Sequence, residues 1–311
     1  VYKRQVNNAQ YEAPNGFKKI IDSYISGDCL IDNHYRVFYL NYDKLENTTE
    51  FEDLRDLVEN IYTNEYLGEL LPKWNEGLLE ENALTCIPLQ RNFFSKFVKS
   101  VNVKTVVIIS DAMRYEVGRQ LYTKMMDNPK CSAKLQVMLS VLPSYTRLGM
   151  EALLPHKTLE LTDDFREVVD GKYATDLAVR QAVLQSYEPE SKCVQFDDVK
   201  NLKGQELRDV FTGQSVVYVY HDQIDNTGEH EEDAVFEACE KAVDEIVKLI
   251  QKISTSGNTY RFIVTADHGF IYKRDKVTAS DKIGGMSDSD RLVKRRYIVS
   301  KEPITEQGVC N

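Results

Sequence analysis

The chain is poor in the residues that most often announce a function. Histidine is scarce, five in 311 residues, so each one has to be placed. The six cysteines, Cys29, Cys86, Cys131, Cys193, Cys239 and Cys310, contain no CxxC pair, which leaves zinc-ribbon and thioredoxin chemistry without support. Scattered through apolar or amphipathic segments, they read as buried thiols and not as a disulfide framework. The longest apolar runs, such as Val106 to Ile109, fall far short of the ~20 residues a spanning helix needs. With no signal peptide, tail anchor or lipidation motif visible, a cytoplasmic protein is expected. Fifteen glycines and eight prolines are too few for collagen or a low-complexity chain. Basic residues are in deficit, 39 against 49 acidic, a net charge of −10; coating nucleic acid by charge alone is therefore unsupported, although a local basic face is not. The chain opens on Val1-Tyr2-Lys3 and closes on Gly308-Val309-Cys310-Asn311, and we expect a piece of a longer protein.

What is present is the composition of a folded protein with one elaborated domain or two: 42% hydrophobic and 28% charged. Residues 1–100 are mostly helical in pattern. Phe51, Leu54, Leu57, Val58, Ile61 and Tyr62 recur at helical spacing, and Tyr66, Leu67, Leu70, Leu71 and Trp74 continue the stripe, with Pro72 expected to bend or break it. Val37 to Leu40 reads as a short strand or buried turn. From about residue 101 the texture changes. Thr105 to Ser110 is an unbroken β-branched run, as in a strand buried on both faces. Strands are further expected at Leu135 to Val141, Ser215 to Tyr220, Arg261 to Thr265 and Tyr297 to Ser300. Helices are expected at Tyr115 to Met126, Thr146 to Leu154 and Val235 to Ile253. This alternation predicts an α/β domain over residues 101–311, a mostly parallel sheet sandwiched by helices and preceded by the helical segment.

In such sheets chemistry sits beyond the carboxyl ends of the strands, and the unusual polar residues lie there. One strand runs into Asp111 and Arg114, the next into Ser144, Thr146 and Arg147. A third runs into His221, Asp222, Asp225, Glu229 and His230, and a fourth into Asp267 and His268. Taken singly, Asp111 and Thr146 read equally well as helix caps, and Asp225 to Glu229 as the acidic opening of a helix. Together they form an oxygen-rich ligand set with imidazole, which suits Zn²⁺ or Mn²⁺ better than a thiolate metal.

The order strand-Asp, Ser/Thr at a helix start, Asp with a ligand a turn later, then Asp-His-Gly resembles the alkaline phosphatase superfamily. Within it, Asp-Ala-Met-Arg-Tyr-Glu, Pro-Ser-Tyr-Thr-Arg-Leu-Gly-Met-Glu-Ala-Leu-Leu and Tyr-His-Asp-Gln-Ile-Asp-Asn-Thr-Gly resemble the PglZ domain of BREX-type phage-resistance systems, over roughly residues 104 to 300. The resemblance implies a metal-dependent phosphohydrolase with two divalent cations. Asp111, Thr146, Asp267 and His268 would hold one, which activates the Thr146 hydroxyl as nucleophile. Asp225 would hold the second, with Glu229 or His230 in place of the family's usual histidine. No histidine follows His268, so this second site is expected to be incomplete. Arg114 and Arg147, beside Asp111 and Thr146, could pair with phosphate oxygens; His221 and Asp222 flank the site. Residues 271–301 carry nine Lys/Arg against four Asp/Glu, which could guide a nucleic-acid backbone or be a solvated loop. A phosphodiesterase or phosphatase, acting on DNA among other phosphoesters, is therefore expected, and the resemblance adds a DNA methyltransferase among its defence-system partners. The competing expectation is a catalytically weak scaffold in a multi-protein complex. Phosphomutase chemistry would share the same metal site.

Overall fold

The computed structural model describes residues 11–81, 83–99, 101, 103–230, 234–271, 273–275, 291–294 and 297–304. Two compact units emerge, the first of residues 1–87 with 271–311 and the second of residues 88–270. These units and the expected division near residue 100 assign the stretch after Phe270 differently.

The first unit begins with helices α1 (Phe17–Ser23), α2 (Cys29–Tyr42), α3 (Glu52–Asn60) and α4 (Gly68–Leu78). Val37 to Leu40 lies inside α2, not in a strand. Tyr35 and Tyr39, four residues apart, share one helix face, and both donate to Glu59 Oε2 at 2.7 Å. That tertiary anchoring overrides the modest helix propensity of the aromatic run. The expected apolar stripe on α3 is only partly buried. Phe51 and Leu54 are exposed, and buried Glu59 takes the core position because two tyrosine hydroxyls satisfy it. Pro72 neither ends α4 nor breaks it. It sits one turn in from the π-helical Ile61–Leu67, where its missing N–H removes a bond only to Gly68.

In the second unit the strands are β1 (Thr105–Ser110), β2 (Leu159–Leu161), β3 (Glu167–Val169), β4 (Ser191–Gln195), β5 (Val216–His221) and β6 (Arg261–Thr265). Four of them form a parallel sheet in the order β4-β5-β1-β6; β2 and β3 pair separately. Every residue of β1 and β5 is buried, which explains their unalternating hydrophobicity. Edge strand β4, Ser-Lys-Cys-Val-Gln, carries too little apolar signal to be legible in sequence. The register pairs Ser110 with His221 and Ile109 with Thr265, so three strands end level and their following residues emerge at one rim of the sheet.

The covering helices are α5 (Tyr115–Met126), α6 (Thr146–Ala152), α7 (Leu177–Tyr187), α8 (Phe196–Val199), α9 (Gly204–Phe211), α10 (Gln223–His230) and α11 (Val235–Ser256). Asp176 caps α7, accepting from the Val179 N–H at 2.9 Å. On one sheet face Val107, Ile109, Tyr218 and Tyr220 pack with Met150, Leu153 and Leu184. On α11, Val235, Ala238, Cys239, Ala242, Ile246, Leu249 and Ile250, which recur at helical spacing, are all buried; each large aliphatic among them is worth about 1.5–3 kcal/mol.

Two expected strands are corrected. Leu135 to Val141 is irregular and makes only an isolated bridge between Leu139 and Leu89, because its backbone is satisfied by the 88–90 segment instead of the sheet. The last strand, β8 (Ile298–Ser300), pairs antiparallel with β7 (Arg291–Val293) and does not join the parallel sheet. Its half-exposed side chains suit a two-stranded ribbon, not a buried strand. Nearby in the first unit, Arg274 pairs with Asp43 at 2.8 Å and its N–H donates to the Tyr35 hydroxyl. Among the described residues no disulfide joins the cysteines: Cys29, Cys193 and Cys239 are buried, Cys86 and Cys131 half-buried. Also among the described residues, no helix is long and apolar enough to cross a membrane.

Candidate metal centre

Three segments meet at the sheet rim. After β1 the chain turns sharply: Asp111 N–H donates to the His221 carbonyl at 2.7 Å, and Ala112 adopts φ 61°. That left-handed conformation is costly for a residue with a Cβ. It points the Ala112 N–H at Asp267 Oδ1, 3.1 Å away, and this bond holds Asp267 against the end of β1. After β6, Asp267 and His268 are buried. His268 Nε2 lies 3.4 Å from Asp111 Oδ1, 3.6 Å from Asp267 Oδ2 and 3.1 Å from Thr146 Oγ1. Thr146 opens α6 directly after the extended Tyr145.

Asp225, near the start of α10, completes the group. Ligand atoms of Asp111, Asp225 and His268 lie within 4.8 Å of one another. Asp225, expected to serve the second ion, thus lies beside the Asp111 and His268 ligand atoms expected to hold the first. The side chains of Glu229 and His230 lie outside the described residues.

Two features show that the group fits a cation. Asp111 Oδ1 and Asp267 Oδ2 are buried with no hydrogen-bond partner, an arrangement that costs free energy unless something positive meets them. The proton equilibria point the same way. Burial first, then the Asp111 charge, raises the Asp267 carboxyl well above its usual range. Burial by itself would lower the His268 imidazole, but the facing Asp111 carboxylate and the charge of Asp267 hold it up to about 9. Oxygen donors with one imidazole suit a hard or borderline divalent ion.

The arginines divide. Arg114 is buried, paired with Glu116 Oε1 at 2.9 Å and lying 5.9 Å from the Phe270 ring centroid, so its charge is already partnered. Arg147 is exposed beside Thr146. His221 is buried on the side toward α11, its ring nitrogens 3.1 Å from Ser110 Oγ and 3.1 Å from Glu245 Oε2; the hydrogen bond from His221 holds Glu245 below the usual carboxylate range. Asp222 and His34 are exposed, while His156 bonds the Leu154 carbonyl.

Some supports escaped sequence reasoning. Gly149 touches the 267 segment so closely that a Cβ there would lie 2.3 Å from the Asp267 carbonyl oxygen. Its place three residues after Thr146 was the only signal. Glu151 on α6 is buried, and burial with the Glu167 charge pushes it up to about 7; Glu167 in turn accepts from the Tyr145 hydroxyl. Gln90 had no signal at all.

Comparison with known proteins identifies the family. Residues 89–310 match the family model of the BREX system PglZ alkaline phosphatase-like domain. The chain is 37% identical over 290 residues to the alkaline phosphatase-like protein PglZ of Bacillus cereus (strain H3081.97), covering 90% of this chain and 34% of that protein. It is 36% identical over 289 residues to the alkaline phosphatase-like protein BrxZ of Escherichia coli O9:H4 (strain HS), covering 87% of this chain and 33% of that protein. The chain thus spans about a third of the length of these curated relatives. With the strand-end residues converging as they do and the match running from before β1 past β8, this chain belongs to the PglZ family of alkaline phosphatase-like domains.

Proposed function

We propose that this chain is a divalent-metal-dependent phosphoester hydrolase in which Thr146 is the nucleophile. The observation that carries the reading is the convergence of Asp111, Asp225 and His268 within 4.8 Å, with Thr146 Oγ1 3.1 Å from His268. Asp111, Asp225, Asp267 and His268 would hold a Zn²⁺ or Mn²⁺ ion. A second ion would share Asp225 and take Glu229 or His230 as a further ligand. Bound there, a divalent cation supplies Lewis-acid charge that favours an ionised hydroxyl and offsets phosphoryl negative charge.

The chain's own residues do the rest. Thr146 Oγ1 gives up its proton to solvent and attacks phosphorus as the bond to the leaving oxygen breaks, and that oxygen takes a proton from water. The alcohol leaves in line, and water then hydrolyses the phosphothreonine. Exposed Arg147, next to Thr146, would pair with phosphoryl oxygens, whereas the Arg114 charge is held by Glu116 with the Phe270 ring 5.9 Å away. As substrate we infer a phosphodiester, DNA included, from the nine Lys/Arg against four Asp/Glu in residues 271–301. Action within a phage-defence complex, beside subunits such as a DNA methyltransferase, is part of the same proposal.

The test is hydrolysis of bis-p-nitrophenyl phosphate with Mn²⁺ or Zn²⁺, beside Thr146→Ala. Turnover by the wild type and its loss in Thr146→Ala are expected, with Mn²⁺ affinity nearly retained. Turnover unchanged by Thr146→Ala would refute the nucleophile. No turnover in any form, with the metal still bound, would favour a binding scaffold.

A further inference from the structure

We propose that Gln90 is a positioning residue of the metal centre, a buried amide that fastens the segment carrying Thr146 to the segment carrying Asp267 and His268. The inference rests on the metal reading above and adds the element that brings the two segments into register.

Neither segment belongs to a ladder that would fix it. Strand β6 ends at Thr265, and the stretch before α6 makes only the isolated Leu89–Leu139 bridge. The 88–90 segment fills this gap. Leu139 N–H donates to the Pro88 carbonyl at 2.8 Å, and Gln90 N–H donates to the Leu139 carbonyl at 2.9 Å. The side chain then spans both segments. Gln90 Oε1 accepts from the Val141 N–H at 3.0 Å, and Nε2 donates to the carbonyls of Ala266, at 3.2 Å, and Asp267.

The chemistry of the site requires a primary amide here. One end must offer donors to two carbonyls and the other an acceptor to an N–H, at a position fully buried. A carboxylate lacks the donors, an ammonium lacks the acceptor, and a hydrocarbon would leave the buried Asp267 carbonyl and two half-buried backbone groups without this partner. Neither carbonyl Gln90 holds is a metal ligand, but both sit directly before His268. Their position sets where the Asp267 and His268 side chains point, as outer partners of metal ligands commonly do.

The test uses the whole chain with Gln90→Met, which keeps the volume but removes the polarity. It also uses Gln90→Asn, which keeps the amide on a stem one methylene too short to reach both sides. Amide hydrogen exchange of the metal-free protein is the first readout. Peptides covering 140–147 and 266–270 should exchange about tenfold faster in Gln90→Met and less so in Gln90→Asn, with β1 and α11 unchanged. Calorimetric Mn²⁺ titration is the second, with affinity expected to fall about 10- to 100-fold. Unchanged exchange in both segments, or loosening spread evenly over the unit, overturns the inference. Asp111→Asn separates the two readings. If it binds Mn²⁺ as well as the wild type, the metal reading fails and the role of Gln90 in it falls too. If Asp111→Asn loses the ion while the Gln90 variants bind and exchange normally, only the Gln90 inference falls.

Discussion

Gly149→Ala would place a methyl group where the fold leaves no room. A Cβ at Gly149 lies 2.3 Å from the Asp267 carbonyl oxygen and 2.7 Å from its carbonyl carbon. Both obstacles are backbone, so no rotamer change relieves them. To reach even a 3.0 Å contact from 2.3 Å, α6 or the 266–268 segment has to give about 0.7 Å. That shift acts directly on the 3.1 Å approach of Thr146 Oγ1 to His268 Nε2, because Thr146 and Gly149 ride on the same short helix. Misplacement of this order at a reacting centre costs on the order of 10²-fold in rate, and overpacking a tight site costs about 1–3 kcal/mol of stability. The matched control is Gly118→Ala on α5, where an added Cβ meets nothing within 4 Å; removing a helical glycine there should stabilise by about 0.5–1 kcal/mol. The assay is kcat/KM for bis-p-nitrophenyl phosphate with Mn²⁺, beside thermal melts of all three proteins. A Gly149→Ala variant with near wild-type kcat/KM and an unshifted melt would refute the close-approach reasoning.

Other predictions follow from the buried charges. The His268 imidazole, held near 9 without metal, must lose its proton to bind a cation, so Mn²⁺ affinity should rise with pH up to about 9 with release of a proton. Calorimetry in buffers of different ionisation enthalpy reads that proton, and a pH-independent affinity would count against His268 as a ligand. Glu151, raised from 4.5 to about 7 in the folded chain, binds its proton more tightly folded than unfolded. Its contribution is therefore complete below pH 4.5 and lost as pH rises through about 7, a loss of at most roughly 3 kcal/mol. Glu151→Gln should flatten the pH dependence of denaturant unfolding across that window, and an unchanged slope would argue against it. In the helical unit, Glu59→Ala would leave the Tyr35 and Tyr39 hydroxyls without their shared acceptor, with an expected loss of about 2–5 kcal/mol in chemical denaturation. Glu59→Gln, which keeps an acceptor, should lose clearly less.

Composition and pattern alone determined much of this protein. An unbroken β-branched run can be accommodated only by a strand covered on both faces, so β1 and β5 were legible, as was the buried stripe of α11 with its helical period. Asp111, Thr146, Asp225, Asp267 and His268 stood out because polar residues at the ends of buried strands need a reason. Periodicity could not show which neighbours would satisfy a backbone. Leu135 to Val141 looked like a strand but found its partners in Pro88 and Gln90, and β8 joined a ribbon in place of the sheet. In α3, tyrosine hydroxyls from α2 made a glutamate a core residue. At the site, the tertiary structure decided the distances. Level strand ends, the left-handed turn at Ala112 and the gap at Gly149 bring Asp225 beside Asp111 and Thr146 beside His268. Those contacts join residues more than a hundred positions apart, and such long-range contacts are fixed by packing and not by local sequence.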